Sequence, residues 1–328
     1  MPDLIGTVLW PIKWVIEAIL VTFHSALSAL GLDPGAGLTW VLSIVCLVLV
    51  VRAALIPIFV RQIKSQRRMM EVAPQLKKIQ DKYKGKKDQF SREAMSRETM
   101  ELYKKTGTNP LASCLPLLIQ MPIFFSLFSV LNEAKPQADG SFKAGVGLLT
   151  QQLSEEFGTA SLFGVAPLRL SIQTALEAGN TVVVVIALVM VVIMTASQFI
   201  TQLQIMSKNQ SPEMKASPTY KQQRILLYIL PLVFAFSGFA FPIGVMFYWL
   251  TSNIWTMVQQ FIVIRNMPTP GSEAALAREA RLAKKAQRRG ITITEMAELE
   301  PEEAKKLSTQ RVQPVGKNRA KKQTGNKK

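Results

Sequence analysis

Leu38–Val60 reads LTWVLSIVCLVLVVRAALIPIFV, apolar throughout except for one arginine, Arg52. A bilayer-crossing helix needs roughly 20 apolar residues rising about 1.5 Å each. The segment is therefore predicted to span a membrane, and Arg52 is its one costly residue. Three more uncharged blocks follow: Thr106–Asn132, Ala178–Ser207 and Ile225–Ile264. As one helix the last would reach about 60 Å, twice the hydrocarbon thickness. Phe241-Pro242-Ile243-Gly244 near its middle supplies a break, because Pro242 lacks an amide donor and Gly244 relaxes the backbone. The expected fold is all-α and polytopic, with five transmembrane helices at 38–60, 109–131, 180–205, 225–241 and 243–264.

Charge sets their direction, since cytoplasmic loops concentrate Lys and Arg. Arg61–Thr108 holds fourteen basic residues against six acids, 207–224 holds four against one, and 265–328 holds sixteen against seven. Residues 132–179 hold three against five. The N-terminus is thus expected outside. The segment 61–108, the loop 206–224 and the tail 265–328 are expected in the cytoplasm, and 132–179 forms an extracytoplasmic loop. The net charge of +17 and the mean hydropathy of +0.20 fit a multi-pass protein of the cell membrane.

Within 1–37, the apolar residues Ile12, Val15, Ile16, Ile19, Phe23, Leu27 and Leu30 form a one-sided stripe, interrupted by Lys13, Glu17 and His24. That pattern predicts an interfacial amphipathic helix on the outer leaflet. A sixth span or an uncleaved signal segment is the alternative. No basic residue precedes Lys13 and no small-residue cleavage site is clear.

The segment 61–108 reads as a basic helical hairpin with helices over 62–84 and 89–106. Gly85-Lys86-Lys87-Asp88 is its turn, Asp88 caps the second helix, and Pro74 bends or interrupts the first. It either fixes topology alone or docks nascent chain or anionic headgroups. The tail 265–328 is expected to be largely disordered, with a charged helical stretch over 272–289 and a basic run from Lys317 to Lys328. It either enforces orientation or binds ribosomal RNA or anionic lipid.

Cys46 and Cys114 lie in apolar blocks and His24 is the only histidine. No catalytic constellation, metal site or cofactor follows, and the chain is not expected to be an enzyme. Arg52 lies nine residues, about 13 Å along a helix, from Arg61. A central arginine costs about 2.5–3.5 kcal/mol on insertion scales. No Asp or Glu lies within the five predicted spans to pair with it. The spans offer neutral polarity instead: Gln120; Thr195, Ser197, Gln198, Thr201 and Gln202; Ser237; Thr251, Ser252, Asn253, Thr256, Gln259 and Gln260. These groups either line a hydrated cavity around the guanidinium or bond helix to helix. An unpaired cation in a wet cavity attracts acidic and polar segments.

Three stretches carry a family resemblance: VRAALIPIFVRQIKSQR from Val51, TNPLASCLPLLIQMPIFFSLF from Thr108 to Phe128, and FPIGVMFYWLTSNIWTMVQQ from Phe241 to Gln260. With the five-span layout, the chain resembles the YidC family of membrane-protein insertases over about 38–266. It is most similar to short Gram-positive-type members without a large extracytoplasmic domain. The resemblance implies a monomeric insertase and chaperone for nascent membrane proteins, acting alone or with the general secretion channel, without cofactor or nucleotide hydrolysis. It implies a hydrophilic groove open to the cytoplasm and to lipid but closed outside. In that groove Arg52 holds the polar outer part of a substrate, and Tyr248 and Trp249 contact substrate in the final span. The hairpin accepts substrate and the basic tail aids ribosome contact. The candidate groove set is Arg52, Gln120, Gln198, Tyr248, Trp249 and Asn253. Two positions depart from the resemblance: Val48 stands where some relatives carry a groove threonine, and Trp249 where others have tyrosine. The rival readings are a small-solute transporter, which the absence of an internal repeat and of intramembrane acids disfavours, and an inert anchor recruiting ribosomes through the tail.

Overall fold

The computed structural model describes residues 4–290 apart from 87, 108–114, 135, 138, 216–219, 221–223, 226, 230–232, 234–235 and 237. The start of the predicted second span with Cys114, much of the predicted fourth span with Ser237, and the tail from 291 with its basic run lie outside the described residues.

Ten helices are described: α1 Leu4–Ala29, α2 Gly37–Lys82, α3 Gln89–Thr106, α4 Leu115–Glu133, α5 Gln151–Thr159, α6 Ile172–Glu177, α7 Thr181–Lys208, α8 Pro212–Lys215, α9 Ile243–Asn266 and α10 Glu273–Arg289. A two-stranded antiparallel sheet, β1 Ser161–Leu162 and β2 Ala166–Pro167, sits between α5 and α6. In the predicted fourth span, residues 224, 225, 227–229, 233, 236 and 238–240 are helical. The chain divides into two compact units, 1–273 and 274–328. Three segments are long and apolar enough to cross a membrane by length and composition, Gly6–Ala29, Gly37–Ser65 and Thr181–Lys208, and Leu118–Glu133 is a shorter apolar one. The first of these is the segment predicted to lie on the surface.

α9 packs against α7, α2 and α4, while α1 packs against α2 and α4. Small residues let these backbones approach: Ala187 on α7 is fully buried, and a Cβ added at Gly238 would meet Val191 of α7 at 2.7 Å. The outward side chains stay apolar, with Val185, Val192 and Ile200 of α7 and Ile254, Val258 and Phe261 of α9 all exposed. An exposed apolar girdle of this extent is a lipid-facing surface.

The loop 132–179 is a folded cap. Its buried Leu149, Phe157, Leu162, Leu168 and Ile172 join Trp40 and Ile44 of α2, Val183 of α7 and Ile243 of α9 in one core. Three contacts fasten it. Gly37 opens α2 where a Cβ would lie 2.5 Å from the Ser161 carbonyl carbon, so only glycine fits. The amides of Ile243 and Gly244 donate to the Leu170 and Leu168 carbonyls, both at 3.0 Å, satisfying donors that the start of α9 leaves open after Pro242. Glu17 of α1, fully buried, accepts from the amides of Val146 at 3.0 Å and Gly147 at 2.7 Å.

α1 turns Lys13, Glu17 and His24 inward. Lys13 pairs with Glu133 of α4 at 2.6 Å. His24 stacks on Trp40 with centroids 3.9 Å apart and donates from Nε2 to the Pro34 carbonyl at 3.0 Å. Val8, Trp10 and Val15 face out. The docked face mixes both kinds of residue: Ile16 and Leu20 are buried in the core beside Lys13, Glu17 and His24.

α2 runs unbroken from the apolar segment into the hairpin, with Pro57 and Pro74 inside it. At 46 residues it is about 69 Å long. Pro74, expected to bend or interrupt the first hairpin helix, has helical residues on both sides. Asp88 caps α3 by accepting from the Ser91 amide at 2.8 Å, and Gly107 ends it in the left-handed conformation. Glu98 of α3 accepts from Lys82 and from the Tyr83 hydroxyl across the turn. Hydrogen bonds from Lys82 and Tyr83 hold the Glu98 carboxyl below the usual carboxylate range, and the bond to Glu98 raises the Lys82 ammonium above its own. α3 has no buried residue among those described, so few contacts close the hairpin.

Two outcomes follow for these clasps. Glu17→Ala, which removes the buried acceptor shared by the 146, 147 and 149 amides, is expected to cost about 1–3 kcal/mol, read as a lower unfolding temperature with faster amide exchange confined to 146–149. The Glu98 contribution to hairpin closure should be complete above the ordinary carboxylate range and lost as pH falls through its depressed one. Spin labels at Lys78→Cys and Glu101→Cys should therefore separate only in strong acid, and unchanged distances there would show that the bridge does not close the hairpin.

Candidate functional site

Arg52 sits on α2 where the core ends. The buried cluster includes Trp40, Val41, Ile44, Leu47 and Val48 of α2 but stops there; on α7 it stops at Met194 and on α9 at Tyr248. Arg52 itself is half-buried. Its Nη2 donates to the hydroxyl oxygen of Ser252 on α9, and its guanidinium carbon lies 5.8 Å from the centre of the Phe59 ring, within cation–π range. Among the described residues no carboxylate pairs with it; Lys13–Glu133 and Lys82–Glu98 are ion pairs elsewhere in the chain.

Gln120 of α4 donates to the hydroxyl of Tyr248, one helical turn before Ser252. A void of about 10 Å³ opens between Val48, Val51, Arg52, Gln120 and Tyr248. That is space for about one water beside three polar side chains. Val48 gives this void an apolar wall.

The helical repeat explains which predicted residues meet. Tyr248 and Ser252 are four apart and share a face of α9, while Trp249 and Asn253 are each one residue, about 100°, further round. Trp249 accordingly stacks on Phe124 of α4 at 5.1 Å and meets Phe241 edge-on at 4.8 Å, in an aromatic cluster beside the polar site. Asn253 and Gln198 are half-buried, and among the described residues neither hydrogen-bonds to Arg52. Of the six candidates, the structure thus brings together Arg52, Gln120 and Tyr248.

Ser252 and Phe59 are the contacts that the candidate set omitted. Ser252 is legible as Tyr248 plus four, and Phe59 as Arg52 plus seven, both same-face spacings. Several other hydroxyls serve their own helices: Ser197 donates to the Met194 carbonyl at 2.9 Å, Thr201 to Ser197 at 2.8 Å, Thr251 to Phe247 at 2.8 Å and Thr256 to Ser252 at 2.8 Å. Among the described residues no cluster of His, Cys, Asp or Glu could hold a metal.

Beyond Arg52, α2 and α9 part around a cavity of about 310 Å³, lined by Ile56, Val60, Ile63, Trp255, Val258 and Ile262 among others. The arrangement is a cation with neutral partners between a tightly packed end and an end where the helices separate.

The sequence is similar to those of known proteins. A family profile described as 60Kd inner membrane protein matches residues 32–270. A membrane protein insertase YidC of Tropheryma whipplei (strain Twist) is 44% identical over 325 residues, covering 97% of each chain. One from Bifidobacterium longum (strain NCC 2705) is 36% identical over 323 residues, covering 96% of this chain and 95% of that one. One from Streptomyces avermitilis is 45% identical over 289 residues, covering 86% of this chain and 63% of its own length.

The shared-face geometry sets a contrast. Ser252→Ala is expected to destabilise the protein by about 1–3 kcal/mol by removing the acceptor for a charged donor. Asn253→Ala should cost under about 0.5 kcal/mol, the level of a substitution that breaks no such contact. Thermal unfolding of both variants in detergent checks the difference, and equal losses would contradict this geometry.

Proposed function

The chain belongs to the YidC family of membrane-protein insertases, a family of insertases rather than enzymes, and on that premise we propose that it inserts and helps fold nascent inner-membrane proteins, using Arg52 as a transient anchor for their polar outer segments. It is a multi-pass inner-membrane protein. In our reading it has five spans, with the N-terminus and the cap 132–179 outside and the hairpin, the loop 206–224 and the tail inside. α1 then lies on the outer surface, which is supported by its polar side chains being spent on Glu133, the 146–149 amides and Pro34.

One observation carries the mechanism: Arg52 is held between α2 and α9 by neutral groups alone, among the described residues, at the point where close packing stops. A guanidinium with a fixed counter-ion would have no call on a second anion. One held by a hydroxyl and a ring can exchange those weak partners for an incoming acidic or polar segment. The cap supports closure on the outside, and the end of the buried core at Val48, Met194 and Tyr248 supports access to Arg52 from the cytoplasm. Entry there shortens the apolar path a polar segment must cross. Burial of the substrate's apolar helix in lipid then drives completion at about 25 cal/mol per Å² removed from water. The membrane potential adds about 2.3 kcal/mol per 100 mV for each acidic charge moving outward. Gln120 and Tyr248 position the site, Trp249 with Phe124 presents an aromatic wall to the apolar part of the substrate, and Gln198 and Asn253 lie at its edge. The hairpin and basic tail serve as docking elements for nascent chain, ribosome or anionic lipid. The protein works as a monomer, alone or beside the general secretion channel.

The test is insertion of a single-spanning substrate with an acidic outer segment, in cells depleted of their own insertase. Arg52→Ala should cut insertion about tenfold or more and Arg52→Glu further, with the protein still folded. Arg52→Lys should retain most of it, because one donor to Ser252 asks for charge and reach rather than a guanidinium fork. Normal insertion by Arg52→Glu would overturn the anchor role.

A further inference from the structure

The cavity between α2 and α9 has no part in the polar mechanism. It measures about 310 Å³, the lower end of the range for small-molecule sites. Its walls are two helical stripes. Ile56, Val60 and Ile63 recur at four and three residues on α2; Trp255, Val258 and Ile262 recur at three and four on α9. Gln259, Asn266 and the Trp255 indole N–H, which donates to Gln259 Oε1 at 2.9 Å, supply its side-chain polarity among the described lining residues. A void this apolar repels water and acidic peptide alike, so its occupant is hydrocarbon.

Each stripe runs into a cation. Lys64 is four residues after Val60 on the same face of α2 and is exposed. Arg265 is three residues after Ile262 on α9 and is also exposed. A slot for one chain, with ammonium and guanidinium groups one turn beyond it, matches an amphiphile with an acyl tail and an anionic head. Arg guanidinium and Lys ammonium are the usual donors to phosphate.

We propose that the α2–α9 cavity is a binding site for one acyl chain of an anionic phospholipid of the cytoplasmic leaflet, whose phosphate is held by Lys64 and Arg265. The lipid chain fills the cavity between the two helices, beside the route to Arg52 and not in it. The proposal shares the membrane orientation given above but not the role of Arg52, so Arg52→Ala should leave lipid binding intact.

The experiment uses the full chain in phosphatidylcholine vesicles doped with phosphatidylglycerol or phosphatidylcholine carrying a photoreactive group on one acyl chain, with no nascent chain present. Crosslinks are mapped by mass spectrometry. Labelling within 56–63 and 255–267 should favour phosphatidylglycerol by about fivefold, the scale of one extra charge contact at the surface. Lys64→Gln with Arg265→Gln should bring the two lipids level. Val60→Phe and Ile262→Phe, each filling part of the cavity, should reduce labelling by both lipids; unfolding temperatures identify whichever variant remains native, and that variant is the one scored. Equal labelling by the two lipids in the unsubstituted protein, or labelling that the cavity-filling variant leaves unchanged, would overturn the proposal. Label spread evenly along all exposed apolar helices would do so too, since that is bulk lipid and not a site.

Discussion

A guanidinium held inside a helical bundle with no carboxylate partner among the described residues is the constraint around which this chain is organised. Placing arginine at the centre of a span costs about 2.5–3.5 kcal/mol, and a buried charge left alone costs far more. Here the charge is met by the hydroxyl of Ser252 and the face of the Phe59 ring, with Tyr248 and Gln120 bonded to each other alongside. Those partners lower the cost without cancelling the charge. A carboxylate in the same place would give a stronger pair and a filled site.

The packing around that charge is asymmetric for a physical reason. Between helices in lipid there is no hydrophobic drive to associate, because acyl chains are as apolar as leucine. In water there is. The folded cap buries Phe157, Leu162, Leu168 and Ile172 against the ends of α2, α7 and α9, so hydrophobic free energy gathers the helices at that end. Backbone bonds from Ile243 and Gly244 to the 168–170 segment fix α9 there. At the other end the described residues form no comparable core. Closure outside and opening inside thus share one cause in our account: which connecting segments fold into a compact aqueous layer. The hairpin extends as a lever from α2 itself, secured by the Lys82–Glu98–Tyr83 cluster and capped by Asp88.

Much of this was legible from residue pattern. Uncharged blocks gave the apolar helices, the Gly85–Asp88 turn gave the hairpin, Pro242 gave the start of α9, and the isolated charge gave Arg52. Two kinds of information were missing. The first was rotation. A list of polar residues on α9 does not say which of Ser252 and Asn253 faces α2, and one residue is about 100° of turn; the same-face spacing from Tyr248 decides it. The second was what lies opposite. The stripe on α1 identified an amphipathic helix, but a stripe does not say what the interrupting Lys13, Glu17 and His24 meet. Their neighbours are Glu133, the 146–149 amides and the Pro34 carbonyl, all distant in sequence or contributed by backbone. Residues 132–179 read as a loop because their strands are two residues each and their helices short, below the length at which periodicity is visible.

The most direct measurement is the accessibility of position 252 to water from each side of the membrane. In a background with Cys46→Ser and Cys114→Ser, Ser252→Cys should react with a charged, membrane-impermeant maleimide added from the cytoplasmic side, and not with the same reagent added outside. Failure to react from the cytoplasm in a folded protein, or reaction from the outside, would mean that the neighbour of Arg52 is sealed from the cytoplasm or open to the wrong compartment, and the account would be wrong.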